Sequence, residues 1–312
     1  MAGLSVLSSQ KIAADISAGL SQWQQQGKWF GYADHSIFCR IEGQGEPLLL
    51  IHGFPTASWD WHEIWPELTA NYKVIALDLI GFGFSDKPLN YRYSILDQAN
   101  LIEGFMREMG IGRYHILCHD YGVSVAQELL ARQMSLDAVS KPTPEVASVA
   151  FLNGGLFPEE HQPALVQRLL ASPLGSVVSR FITEGSFRWN MCHIFGAHTQ
   201  PTAQQLHDLW YLVNYNNGRA ITHKLIRYME ERRCMRNRWV KALNAPVPLC
   251  FINGIADPIS GARMADRYAQ SVAKPYVVRI AGVGHYPQLE VPDEVVRSYR
   301  QFREKSALIN AH

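Results

Sequence analysis

The order of apolar runs along this 312-residue chain predicts an α/β fold: a mostly parallel central sheet with helices on both faces, interrupted by a helical insertion. Two observations carry the prediction. Short apolar runs at 47–51, 72–77, 113–119, 146–152, 247–253 and 275–281 have strand length, and helical patterns lie between most of them. Continuous rather than alternating hydrophobicity marks strands covered on both faces, and their alternation with helices marks a parallel sheet. The alternation lapses between about 155 and 244, where the pattern is helical, rich in aromatics and His, and broken by Pro158, Pro163, Pro173 and Pro201.

Taken in order, residues 9–26 set Ile12, Ile16, Leu20 and Trp23 at helical spacing with glutamines behind them, an amphipathic helix lying on the body of the fold. Trp29 to Ile41 alternates loosely and turns near Asp34-His35-Ser36, a β-hairpin. Ser94 to Met109 is an amphipathic helix. The expected division is an α/β core made of 1–154 and 245–312, with 155–244 a helical cap over the strand ends, where sites form in open parallel sheets.

Hydrophobic residues at 47% and charged residues at 18% suffice for a substantial core. A net charge of +1 gives no argument for nucleic acid or an anionic membrane as partner. The five cysteines are odd in number, scattered and without CxxC spacing, so reduced thiols in a cytoplasm are expected rather than disulfides or a metal site. The N-terminus lacks the features of a signal peptide, and no run reaches the roughly 18 apolar residues of a membrane span. A cytoplasmic protein follows as the expectation.

Four motifs fall at the predicted strand ends. His52-Gly53-Phe54-Pro55 follows the first apolar run, and its Phe54 N–H is a candidate donor to developing negative charge. At 113–123 a buried run passes with almost no room to turn into a helical pattern, with Asp120 at the bend between Cys118 and Gly122. That is the layout of a nucleophile elbow with a carboxylate in place of serine, and the new helix offers the N–H of Tyr121 as a second donor. Asn253-Gly254-Ile255-Ala256-Asp257-Pro258 follows the next-to-last run, and Gly282-Val283-Gly284-His285-Tyr286-Pro287 the last. A lone Asp or His in a loop has ordinary structural explanations. A nucleophile, an acid and a histidine in the order Asp120, Asp257, His285 have one in common, a catalytic triad.

On these residues, together with the run Asp78-Leu79-Ile80-Gly81-Phe82-Gly83-Phe84-Ser85-Asp86-Lys87-Pro88, the chain resembles the aspartate-nucleophile branch of the α/β-hydrolase fold, which holds epoxide hydrolases and haloalkane dehalogenases. The resemblance implies that Asp120 attacks a substrate carbon to form an alkyl ester, which water activated by His285 and oriented by Asp257 then cleaves. It implies Phe54 and Tyr121 N–H groups as the oxyanion hole, a small apolar electrophile and water as the reactants, and neither metal nor organic cofactor. Cys118 and Val123 depart from the family's usual small residues. Cys118 is expected to be a packing residue, and His119 structural.

Substrate class turns on the leaving-group donors. Relatives that open epoxides use two cap tyrosines; Tyr228 matches the second, while Tyr211 and Tyr215 match the first poorly. Dehalogenases use a Trp after the nucleophile with an Asn or second Trp, positions held here by Tyr121 and Phe54, leaving Trp189 or Trp210 as indole donors. The expectation is an epoxide-hydrolase-like enzyme. Dehalogenation and a non-catalytic ligand-binding role are the alternatives, and a strained lactone would also suit the nucleophile. The arginine-rich run 232–239 is expected to be a solvated helix face.

Overall fold

The computed structural model describes residues 16–135 and 144–310. Its centre is an eight-stranded sheet with spatial order β1-β2-β4-β3-β5-β6-β7-β8, made of β1 Lys28–Tyr32, β2 His35–Glu42, β3 Pro47–Ile51, β4 Lys73–Leu77, β5 Arg113–His119, β6 Glu145–Leu152, β7 Leu249–Gly254 and β8 Val277–Ile280. The first two strands pair antiparallel with each other and with β4. From β4 to β8 every pairing is parallel. The hairpin turns at Ala33-Asp34, both at positive φ, one residue before the expected bend.

Strand alternation sorts the apolar side chains into two layers. Leu49, Ile51, Ile116 and Cys118 join one buried cluster, covered by helices Ile95–Glu108, Tyr121–Met134, Arg236–Ala242 and Ala262–Ser271. Leu48, Leu50 and Leu117 join the other, covered by helices Ala18–Gln25, Trp65–Thr69 and Pro292–Asn310. The expected N-terminal helix is present from Ala18, with Ser17 as N-cap; residues 9–15 lie outside the described residues. Ser94 and Met109 cap the helix between them, the Ser94 hydroxyl accepting from the Asp97 N–H.

Between β6 and β7 the described chain forms helices only, from Pro158–Glu160 to Arg236–Ala242. No helix among the described residues is long and apolar enough to cross a membrane. Chain direction across the sheet reverses at β3 and β5. The site lies at that switch, beyond the carboxyl ends of the strands.

Candidate active site

Asp120 is the last residue before helix Tyr121–Met134 and has φ 44° and ψ −101°. That conformation costs a non-glycine residue about 1–3 kcal/mol and persists only where its surroundings impose it. Here the Asp120 N–H donates to the Asn153 carbonyl at 2.8 Å, and the Gly122 N–H donates to the His52 carbonyl at 3.1 Å. Glycine is required at 122, because a Cβ there would meet the Ile51 carbonyl oxygen at 2.4 Å. Val123 is accommodated because residue 154 has no side chain: a Cβ on Gly154 would lie 2.7 Å from Val123 Cγ2.

The Asp120 side chain is 2% exposed, and its Oδ2 accepts from the Phe54 N–H at 3.2 Å. The Tyr121 N–H is first in its helix and has no intrahelical acceptor. The other oxygen, Oδ1, stands 4.0 Å from His285 Nε2. On its far side, His285 Nδ1 donates to Asp257 Oδ2 at 2.8 Å. Asp257 also accepts from Asn153 Nδ2, the Ser260 hydroxyl, and the Ile259 and Ser260 N–H groups. Burial alone would raise the Asp257 carboxyl, but the His285 charge and these hydrogen bonds hold it down at about 2. Burial alone would lower the His285 imidazole; the Asp257 carboxylate, and after it that of Asp120, lift it to about 9.

The supporting residues bond in ways the motifs do not display. His52 accepts from the Leu79 N–H with Nε2, tying the ends of β3 and β4 together. The Asp78 carboxylate accepts from the Ser58 and Phe84 N–H groups, so the run from Asp78 to Pro88 shapes loops under the site. His119 donates through Nε2 to the His285 carbonyl at 2.7 Å, and burial, with the His285 charge, pushes it down to about 3. It is a neutral brace for the histidine loop, as expected. Cys118 is fully buried, and burial pushes its thiol up. Glu290 accepts from the Gly284 and Tyr286 N–H groups on either side of His285, and from Gly196 N–H and the Thr199 hydroxyl.

Of the five aromatic candidates, Tyr228 reaches the elbow. Its ring packs 5.0 Å from that of Tyr121 and 5.9 Å from that of Phe54, and its hydroxyl is buried with no partner among the described residues. Burial, then the Asp120 charge, raises the phenol well above its ordinary value, while Arg232 opposes them. Tyr211 and Tyr215 pack on each other, Tyr215 against Phe84, and Trp210 packs on Phe187. Trp189 is 61% exposed and lies over His193, outside the site.

Two residues correct or extend the sequence reading. Arg232 belongs to no solvated face: it is 1% exposed, its Nε donates to the Ser124 hydroxyl at 2.9 Å, and its guanidinium lies 3.5 Å from the Asp120 carbonyl and 4.8 Å from the Tyr228 ring. It reaches inward over Gly155, where a Cβ would fall 2.0 Å from its Nη1. The signal for it was spacing, since Arg232 is four residues after Tyr228 on one helix face. His161, which sequence reasoning missed, has a buried Nε2 without a partner among the described residues and is pushed down to about 3 by burial and by Arg232.

An apolar cavity of about 90 Å³ ends on Phe54 and His285, the residues flanking the Asp120 carboxylate. Ile259 of the core lines it together with Leu170, Phe187 and Met191 from the segment between β6 and β7. Among the described residues no His, Cys, Asp and Glu cluster forms a metal site.

Comparison with known proteins agrees with this architecture. The mesoderm-specific transcript protein of Mus musculus is 38% identical over 299 residues, covering 92% of this chain and 88% of its own. LipZ of Mycobacterium tuberculosis is 35% identical over 278 residues, covering 88% of this chain and 95% of its own. The crystal structure of haloalkane dehalogenase DbeA from Bradyrhizobium elkani USDA94 superimposes with a TM-score of 0.75 at 20% identity, covering 91% of this chain and 99% of that one. The family model described as alpha/beta hydrolase fold matches residues 46–292, and the chain belongs to that family.

Proposed function

We propose that the protein is an epoxide-hydrolase-like enzyme acting through an alkyl ester on Asp120, with residues 155–244 as the cap that closes the site. The observation that carries the reading is the buried Tyr228 hydroxyl, without a partner among the described residues, on a ring packed against Tyr121 and Phe54 and within the field of an Asp120 carboxylate whose neighbours are His285 and the Phe54 N–H. Asp120 Oδ2 already rests on the Phe54 N–H, so Oδ1 is the attacking oxygen. As Oδ1 bonds to carbon, the ring C–O bond breaks and the ring oxygen takes the Tyr228 proton. Water then attacks Asp120 Cγ, His285 Nε2 takes its proton, and the oxyanion forms on Oδ2. Phe54 and Tyr121 N–H groups stabilise it, each such donor being worth about 3–4 kcal/mol. Collapse breaks the Cγ–Oδ1 bond, Oδ1 leaves as the second hydroxyl of the diol with the proton held by His285, and the proton left on the new Asp120 carboxyl returns to the Tyr228 phenolate.

Esterification also switches the base. The Asp120 charge is one of the causes that lift His285 to about 9. When alkylation neutralises Asp120, that support is lost and the imidazole gives up its proton more readily. Ester hydrolysis therefore slows as pH falls through the imidazole pKa of the ester, which lies below the resting value.

Intact mass spectrometry of His285→Gln after exposure to an aryl or alkyl epoxide tests the proposal. A stable adduct, absent from the Asp120→Asn variant, is the expected result. An unmodified His285→Gln protein would leave a ligand-binding role. A covalent ester from alkyl halides but none from epoxides would move the chain to dehalogenation, for which indole donors at the site would be needed.

A further inference from the structure

The cavity that ends on His285 has a wall with two apolar sides. On helices Leu165–Ala171 and Glu184–Ile194, which flank helix Gly175–Phe181 in the chain, Val166, Leu170, Phe187 and Met191 face the cavity. Across these three helices and the N-cap of the middle one, Leu165, Leu169, Leu174, Val177, Phe181 and Trp189 face solvent, with exposures between 45% and 76%. Six of the ten large exposed apolar residues among those described thus fall within one short stretch. Leu165 and Leu169 are four apart, and Leu174, Val177 and Phe181 follow at three and four, so each helix presents them as a stripe. An apolar surface concentrated in this way marks an interaction site.

The charge of the region indicates what covers it. Residues 161–229 carry six basic residues (Arg168, Arg180, Arg188, Arg219, Lys224 and Arg227) and two acidic ones (Glu184 and Asp208), a net +4 in a chain of net +1. Of the six, Arg188 is ion-paired with Glu184 among the described residues and Arg219 turns inward to line the cavity and donate to the Ile182 carbonyl, which leaves Arg168 and Arg180 exposed on the helices that carry the stripes. Lys224, Arg227 and Arg180 gather around His223, whose imidazole is pushed down first by burial and then by those cations. Exposed apolar stripes beside unpaired cations are complementary to an anionic lipid surface, which takes the apolar side chains into its acyl boundary and holds the basic ones at its headgroups.

We propose that the outer face of these three helices is an interfacial docking surface for anionic lipid, placing one layer of helix between the bilayer and the His285 cavity. Docking does not depend on which electrophile Asp120 attacks, and it is read without turnover.

The test is co-sedimentation of the full chain with vesicles of phosphatidylcholine alone and of phosphatidylcholine mixed with phosphatidylglycerol. Binding to the mixed vesicles, weakened by salt and much weaker on phosphatidylcholine alone, is expected. Each basic residue near the surface is worth about a fivefold change in affinity, so Arg168→Glu with Arg180→Glu should weaken binding at least about tenfold. Leu174→Ser with Phe181→Ser should abolish it, and the charge pair reads the same surface if the apolar pair folds poorly. Failure of the wild type to bind the mixed vesicles, or equal binding by wild type and both variants, would overturn the proposal. So would a wild-type dimer in sedimentation velocity that Leu174→Ser with Phe181→Ser dissolves, because the face would then belong to a second copy.

Discussion

Tyr228 and Arg232 share one helix face, and each breaks a rule of burial: one hides a hydroxyl without a partner, the other a guanidinium without a carboxylate among the described residues. An unpaired buried hydroxyl costs about 1–3 kcal/mol. Tyr228→Phe should therefore melt no lower than the wild type, while epoxide turnover falls about 10²–10⁴-fold, the range of a lost general acid. Turnover of an alkyl halide, whose leaving group needs no proton, should change little, so the two rates measured side by side separate the substrate classes. A lone buried cation is costlier still, and apolar replacements of buried charges are often neutral or stabilising. Arg232→Met should retain or raise the melting temperature and yet lose at least about tenfold in kcat, because the guanidinium braces Ser124, faces the Asp120 carbonyl and opposes the rise in the Tyr228 phenol. A variant that unfolds would assign Arg232 to stability.

At the scale of elements, the histidine loop is held from two directions. His285 N–H donates to the Ile194 carbonyl at 2.7 Å, and Glu290 gathers the N–H groups of Gly284, Tyr286 and Gly196. One carboxylate thus joins the loop that carries His285 to the end of the helix lining the cavity. Glu290→Ala leaves those donors unpaired. A loss of at least about 2 kcal/mol in denaturant unfolding is expected, with kcat reduced more than KM, since the base moves while the apolar pocket persists. The strands and the elbow were legible in the sequence because they rest on local rules: continuous apolar runs at 47–51 and 113–119 became β3 and β5 with the same bounds, and Gly122 sits where only glycine clears the Ile51 carbonyl. Asn153, Glu290, Arg232 and His161 were not, because their roles are set by partners far along the chain, Asp257 for Asn153 and Ser124 for Arg232. An arginine in a run with Arg233, Arg236 and Arg238 carries no local mark of being the one turned inward.

Over the whole molecule, the histidines give folding a stability maximum near neutral pH. Burial pushes His115 to about 4 and, with nearby cations or the His285 charge, His119 and His161 to about 3. Each takes up its proton in the unfolded chain at about 6.5 but not in the folded one. As pH falls from about 6.5 toward 4, unfolding binds these protons, and stability drops by about 1.4 kcal/mol per pH unit for each proton bound. His285 works in the opposite direction. Burial disfavours its charge, but Asp257 more than compensates and lifts it to about 9, so its contribution is full below about 6.5 and is lost as pH rises toward 9. The histidine contribution to melting temperature should therefore rise from 4 to about 6.5 and decline from there to 9; Lys87, which burial pushes down to about 7, adds stability above that pH, so the decline is read as the difference between wild type and His285→Gln. His119→Gln, which can still donate to the His285 carbonyl, should flatten the acid limb and leave the basic one. His285→Gln should remove the decline above 6.5 and, by taking its charge from beside His119 and His161, also soften the acid limb. A basic limb that survives in His285→Gln would show that the pair with Asp257 is not what lifts the imidazole, and the base assigned to ester cleavage would lose its electrostatic support.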